Sequence, residues 1–315
     1  MTATDREEGS GAMAGEDLAR TRERVAARLV GRERELELVL AAVAAGRDIV
    51  LEGPPGVGKT TMLQAITEEW GIPLVLVEGN ADLTPAKLIG HHNPARVLQE
   101  GYDADNFVPG PLVQAMREGG FLYIEEFNRA PDDTINTLLT AMAERRIAVP
   151  RVGVVHAAPT FRVIASMNPY DNVGTTRLST SVHDGLNRLA IGYQDAAAER
   201  GVVALRTGAS GPLEDRLADD AVAVTRATRE HPDVRQGSSV RGAIDLVLVA
   251  RQLAALRGVR DPGDEAYPAL VHDAMVVALS GRIHLDEAAD TTPEQVLKEI
   301  WEDRFLLRPP AAAPG

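Results

Sequence analysis

Gly53-Pro54-Pro55-Gly56-Val57-Gly58-Lys59-Thr60 is the stretch on which the reading of this chain turns. It fits the spacing G-x-x-x-x-G-K-[ST], the pattern of a loop that wraps phosphate groups. Phosphates need several donors converging at short range, and glycines let backbone N–H groups turn inward with no Cβ in the way. A helix opening near Thr60 offers its unpaired N–H groups and positive dipole end to the same anion. Lys59 brings a mobile charge to the outer phosphates, and the Thr60 hydroxyl is suited to ligate Mg²⁺, with Thr61 behind it in the cradle. The setting agrees: the apolar run Ile49-Val50-Leu51 precedes the loop, and an amphipathic stretch, Thr60–Trp70, follows it. The competing reading, a Gly/Pro-rich surface turn, does not ask for that setting. ATP and Mg²⁺ are therefore the expected ligands.

Outward from the loop, short apolar runs alternate with helical spacing. Strands are predicted at Asp48–Glu52, Leu74–Val77, Phe121–Ile124, Arg162–Ser166 and Leu189–Gly192, and helices at Thr60–Trp70, Leu112–Glu118, Asp132–Glu144 and Ser179–Leu186. Continuous apolar strands between helices argue for a parallel sheet covered on both faces. Arg146–Thr160 interrupts the alternation and reads as a small hairpin about Arg151. After about Ala209 the spacing turns helical throughout, at Leu213–Glu230, Ser239–Leu256, Tyr267–Ser280 and Pro293–Leu306. The expected organisation is a loose tail at 1–17, a nucleotide-binding αβα domain at 18–208, an all-helical lid at 209–308 and a flexible tail at 309–315.

Phe121-Leu122-Tyr123-Ile124-Glu125-Glu126 is an apolar strand ending in two carboxylates. Ligands of parallel sheets sit beyond the carboxyl ends of the strands, which brings such an end beside the phosphates. Glu125 is assigned to the Mg²⁺ shell, through water, and Glu126 to orienting and deprotonating the attacking water. Two ordinary surface acids are the alternative. Asn168, after the Arg162–Ser166 strand, can hold that water from the other side, although Asn before Pro169 is also a common turn residue. Arg188 in Asn187-Arg188-Leu189 suits a finger entering a neighbouring subunit's site, and Arg241 a sensor of the phosphates on the lid. In an arginine-rich chain both also read as surface residues. His91-His92 has no ligand partner at metal spacing.

Composition narrows the class. The chain has 315 residues, no cysteine and a formal net charge of −13, which opposes a polyanionic partner and argues against a dedicated nucleic-acid binder. Disulfides and thiolate chemistry are excluded. The N-terminal residues lack a signal-peptide run, and no stretch is apolar enough for a membrane span, so a cytoplasmic location is expected. Lys59, Lys87 and Lys298 are the only lysines.

These residues together resemble the MoxR-type AAA+ ATPases, and look closest to members paired with von Willebrand A-domain proteins. The resemblance runs from Val30-Gly31-Arg32 to Leu307. It is carried by the phosphate loop, by Phe107-Val108-Pro109-Gly110-Pro111-Leu112, by Ile124-Glu125-Glu126-Phe127-Asn128-Arg129-Ala130-Pro131 and by Ala165-Ser166-Met167-Asn168-Pro169. It implies a P-loop AAA+ core with parallel sheet and helical lid, ATP bound between them, Asn168 as first sensor, Arg188 as trans-acting finger and Arg241 as second sensor. It also implies a hexamer acting as a chaperone or remodelling motor on a protein client, with the inserts Leu83–Phe107 and Arg146–Thr160 facing that client. Two departures stand out. Glu125 occupies a position that is usually Asp, and Asn187-Arg188-Leu189 stands where Asp-Arg-Phe is usual. The first motivates a rival reading as a nucleotide-gated scaffold with little hydrolysis; a DNA-dependent motor is the second rival.

Overall fold

The computed structural model describes residues 15–168, 185–208 and 210–307. The tail expected at 1–17 falls outside this set up to residue 14, as do the tail at 309–315, Pro169 and most of the helix expected at Ser179–Leu186. Among the described residues, 15–54 with 58–192 form one compact unit, and 55–57 with 193–307 form a second.

In chain order the first unit runs α1 (Gly15–Ala26), α2 (Glu33–Ala44), β1 (Ile49–Glu52), α3 (Lys59–Trp70), β2 (Leu74–Glu78), α4 (Pro85–Ile89), β3 (Gly90–His92) and α5 (Pro94–Glu100). It continues with β4 (Phe107–Pro109), α6 (Pro111–Glu118), β5 (Phe121–Glu125), α7 (Asp132–Glu144), β6 (Arg146–Val149), β7 (Gly153–His156), β8 (Arg162–Met167) and β9 (Asn187–Ala190). Five of these strands make one sheet in the order β2-β5-β8-β1-β9, and every pairing in it is parallel. Parallel neighbours need crossovers, and helices in those crossovers cover both faces. All four residues of β1 are buried for that reason, as are Phe121 to Ile124 of β5.

The two faces have different contents. Leu122 and Ile124 join Val50, Val163 and Ala165 in a core that also takes Leu112, Val113 and Met116 of α6 and Ile135 and Leu138 of α7. On the other face Phe121 meets Trp70 of α3 edge-on, with ring centroids 5.9 Å apart. Gly71 ends α3 in the left-handed region, the usual stop for a helix that must turn into a strand. The two expected interruptions are present: β3 and β4 pair antiparallel, and β6 and β7 form the hairpin, turned by left-handed Arg151 and Gly153.

β9 begins two residues before the apolar run that suggested it. Arg188 therefore lies within the strand, opposite Val50, and not ahead of it. β9 is an edge strand with mostly exposed side chains, so its polar residues Asn187 and Arg188 left no apolar signal to read.

The second unit has its core among helices Ala196–Thr207, Pro212–Glu230, Val240–Arg257, Tyr267–Leu279 and Pro293–Glu302. The first of these, which sequence periodicity does not announce, packs Val203 into this core. A two-stranded antiparallel ribbon, Val234–Gln236 with His284–Leu285, ties the helices together. Asp220 is a fully buried carboxylate of this unit. It accepts from Arg216 Nε at 2.7 Å, Arg304 Nη2 at 2.7 Å and the Tyr267 hydroxyl at 2.9 Å. Arg304 belongs to the turn Asp303–Leu307, so Asp220 anchors the end of the described chain. Removing one member of a buried charged set strands the others without compensation. Asp220→Ala is expected to cost about 3 kcal/mol of stability, read as a lowered urea midpoint; an unchanged midpoint would show that the set contributes nothing.

Candidate active site

The parallel sheet places its acidic and loop-bearing strand ends at one edge. Glu52 of β1 stands opposite Met167 of β8, and Ile124 of β5 opposite Ala165, so Gly53, Glu126 and Asn168 each leave the sheet at that edge. Gly53 N donates to Met167 O at 3.0 Å, fixing the start of the phosphate loop to β8. A Cβ on Gly53 would lie 1.9 Å from Ile191 O, so no other residue fits between β1 and the chain leaving β9. Gly56 and Gly58 both have positive φ, at 75° and 89°, which lets the loop curl before α3 begins at Lys59.

Lys59 Nζ reaches back to Gly53 O at 2.7 Å and Pro54 O at 3.2 Å. The ammonium is thus held over the mouth of its own loop. Thr60 Oγ1, in the first turn of α3, donates to Glu125 Oε1 at 2.5 Å. That bond uses the hydroxyl proton and leaves the oxygen lone pairs to a cation, while the carboxylate keeps a second oxygen. A hydroxyl and a carboxylate are hard oxygen donors of the type Mg²⁺ takes beside phosphates, so the residues fit that ion. Glu125 spans the gap to Thr60 despite its extra methylene.

Glu126 adopts φ 51° and ψ 42°, a left-handed conformation rare for a residue with a side chain. The kink turns the chain sharply out of β5 into the 3-10 turn Phe127–Arg129, whose Phe127 and Asn128 are buried. The Glu126 carboxylate stays about half exposed and pairs with Arg129 Nη1 at 2.9 Å. Gly79 supports the kink. Its N–H donates to Glu125 O at 2.7 Å, and a Cβ there would come within 2.4 Å of Glu126 O. Sequence reading passed over Gly79; its signal was a glycine directly after β2, level with the acidic strand end.

Tyr123, also unnoticed in the sequence, is fully buried on β5 and donates its hydroxyl to Ser166 Oγ at 3.1 Å. Burial pushes its phenol up to about 12. Asn168 follows β8 directly and is half-buried.

The two arginines are placed differently. Arg188 Nε contacts Glu52 Oε2 at 2.5 Å; the Arg188 side chain is 61% exposed and that of Glu52 only 8%. A buried carboxylate at the foot of the phosphate loop thus has its partner on the edge strand. Arg241 belongs to the second unit, in the first turn of helix Val240–Arg257, where Ser239 Oγ caps its N–H at 3.4 Å. Thr60 and Glu125 are directly linked, Lys59 precedes Thr60 in the same helix, and Glu126 and Asn168 stand on adjoining strand ends. Among the described residues no group of three or more His, Cys, Asp or Glu is arranged to hold a metal ion, and no helix is long and apolar enough to cross a membrane.

Residues 48–184 match the AAA domain of the dynein-related subfamily. The chain is 30% identical over 255 residues to the uncharacterised protein YeaC of Bacillus subtilis, covering 72% of this chain and 76% of YeaC. It is 27% identical over 310 residues to the chaperone MoxR1 of Mycobacterium tuberculosis, covering 88% and 78%. With the gas vesicle ATPase GvpN of Ancylobacter aquaticus it shares 28% over 238 residues, 70% of this chain and 64% of the longer GvpN. A RuvB variant from Thermotoga maritima superposes with a TM-score of 0.51 at 17% identity, covering 79% of this chain and 71% of RuvB, a likeness of fold alone. The matched domain, and the identity shared with YeaC and MoxR1 over most of the sequence, put this chain in the MoxR family of AAA+ ATPases.

Proposed function

We propose that this protein hydrolyses ATP with Mg²⁺ and spends the resulting motion on remodelling or maturing a protein client, as a hexamer. The observation that carries the reading is the Thr60–Glu125 hydrogen bond, which joins the phosphate loop to the acidic strand end in the arrangement a metal-bound triphosphate needs. Thr60 and Glu125 would hold Mg²⁺, which would supply neutralisation of phosphate charge. The chain's own residues do the rest. Backbone N–H groups of Gly56–Thr60 hold the phosphates, and Lys59 exchanges its two loop carbonyls for the outer phosphate oxygens. Glu126 takes the proton of the attacking water, which Asn168 holds from the neighbouring strand end.

Arg188 is assigned the trans-acting role. Its guanidinium is mostly exposed, so it can leave Glu52 for the phosphates bound to an adjacent subunit. Arg241 is assigned the second-sensor role. The client reading is supported by a relative named as a chaperone. It is also supported by exposed apolar side chains on the inserts: Leu98 of α5, Tyr102 and Val154 of β7. A von Willebrand A-domain protein is the partner we propose.

Steady-state ATPase with Mg²⁺ is the direct test. Glu126→Gln is expected to lose about 100-fold or more in turnover, the scale of a general base, while ATP affinity stays near wild type. Wild type and Glu126→Gln both at background would favour the non-hydrolysing scaffold. Stimulation by DNA that fades with added salt would favour the DNA motor.

Arg188→Ala is expected to lose about 1,000-fold in turnover with ATP affinity retained. Mixing it with Glu126→Gln should restore part of the activity, because each variant supplies what the other lacks. An Arg188→Ala protein that turns over normally, or a mixture no better than its components, would remove the trans role.

A further inference from the structure

The proposed hydrolysis gives no part to Glu52, a buried charge at the foot of the phosphate loop. It closes β1, where Ile49, Val50 and Leu51 are apolar, and like them it is buried. Register places Arg188 of β9 opposite Val50, on the face that Val50 shares with Glu52. From there Arg188 reaches along the sheet, and its Nε donates to Glu52 Oε2 at 2.5 Å. The pair is lopsided: the Glu52 side chain is 8% exposed and that of Arg188 61%. Among the described residues no other side chain pairs with either group.

Fastening β9 does not require this contact. Backbone bonds already tie that strand to β1 at both ends, from Asn187 N to Asp48 O at 3.0 Å and from Ile191 N to Glu52 O at 2.7 Å. An apolar side chain at 52 would simply continue the run, since a buried ion pair is rarely more stable than an apolar pair of similar volume. Nor can the carboxylate follow Arg188 outward. Glu52 O is held by β9, and the next residue, Gly53, is tied to β8 through Met167 O at 3.0 Å. When Arg188 swings away, Glu52 stays behind, buried and unpaired, and an unpaired buried charge is costly.

We propose that Glu52 is the resting seat of Arg188, holding the finger inside its own subunit until phosphates bound by a neighbouring copy draw it across. The proposal rests on the trans-acting reading of Arg188 and adds a restraint to it. The finger crosses only to an anion strong enough to offset the carboxylate left behind. A neighbour with an empty site offers no such anion, so the finger stays seated. Glu52 itself touches neither nucleotide nor metal and acts through Arg188 alone.

Mixed subunits separate this role from a disturbance of the adjoining loop. In a mixture of Glu126→Gln and Arg188→Ala, the first supplies fingers and the second supplies competent sites. Glu52→Gln, which keeps the shape and removes the charge, is added to one or the other. On the finger-supplying subunit it is expected to raise the ATPase of the mixture about fivefold, the scale of one charged contact whose outer partner is exposed. On the site-supplying subunit, whose finger is already gone, it should change the rate by about twofold at most. Melting gives a second readout. Arg188→Ala should melt below wild type because its Glu52 is unpaired, and Glu52→Gln in that background should recover the loss.

No change, or a fall, when the finger-supplying subunit carries Glu52→Gln overturns the proposal. Equal effects from either subunit assign Glu52 to the phosphate loop and also overturn it. So does an Arg188→Ala protein that melts with wild type, because the vacated carboxylate then exerts no pull. A mixture with no ATPase at all sinks the trans role of Arg188, and the seat with it; a mixture that works but ignores Glu52→Gln sinks the seat alone.

Discussion

Everything at the sheet edge depends on β1 being bonded on both sides, to β8 and to β9. A strand in that position ends where its neighbours end, so the loop that follows it must leave the sheet beside their tips. Gly53 is the point where this constraint is tightest. Its N–H is tied to Met167 O, and its missing side chain is the space occupied by Ile191 O. The loop conformation is thereby set by two strands distant in sequence, and the glycines after Gly53 complete a curl whose starting direction is already fixed.

The polar groups at this edge satisfy one another. Lys59 rests on loop carbonyls, Thr60 on Glu125, Glu126 on Arg129 and Arg188 on Glu52. Each donor or charge is held by a partner within the chain, one that the proposed function has a phosphate or a cation replace. Buried polar groups are costly when unpaired, and a site whose groups have such stand-ins carries less of that cost in the protein alone. The strained backbone at Glu126 belongs to the same economy of position: Gly79 and the buried pair Phe127–Asn128 hold a conformation that glutamate rarely adopts by itself.

Much of this was legible residue by residue. Spacing alone marks the phosphate loop, and apolar runs mark β1, β5 and β8, because strands covered on both faces cannot hide their composition. The second unit's helices were readable from their periodicity wherever one face is core and the other solvent. Legibility failed where burial did not write the sequence. The edge strand β9 carries polar side chains, and helix Ala196–Thr207 buries little beyond Val203 and Glu199. Gly79 and Tyr123 gave no motif, since each matters only through what another strand brings against it.

The sequence by itself determined the chemistry: a loop that must curl, a lysine kept in a chain nearly without lysines, and two acids at the end of an apolar strand. Those are local properties, set by residue type and by neighbours a few positions away. Tertiary structure alone decided partnership. Which oxygen of Glu125 meets Thr60, which carboxylate holds Arg188, and which hydroxyl takes the proton of Tyr123 all follow from strand order and register. These arise when segments far apart in the chain share one sheet, and no local pattern encodes a distance across it.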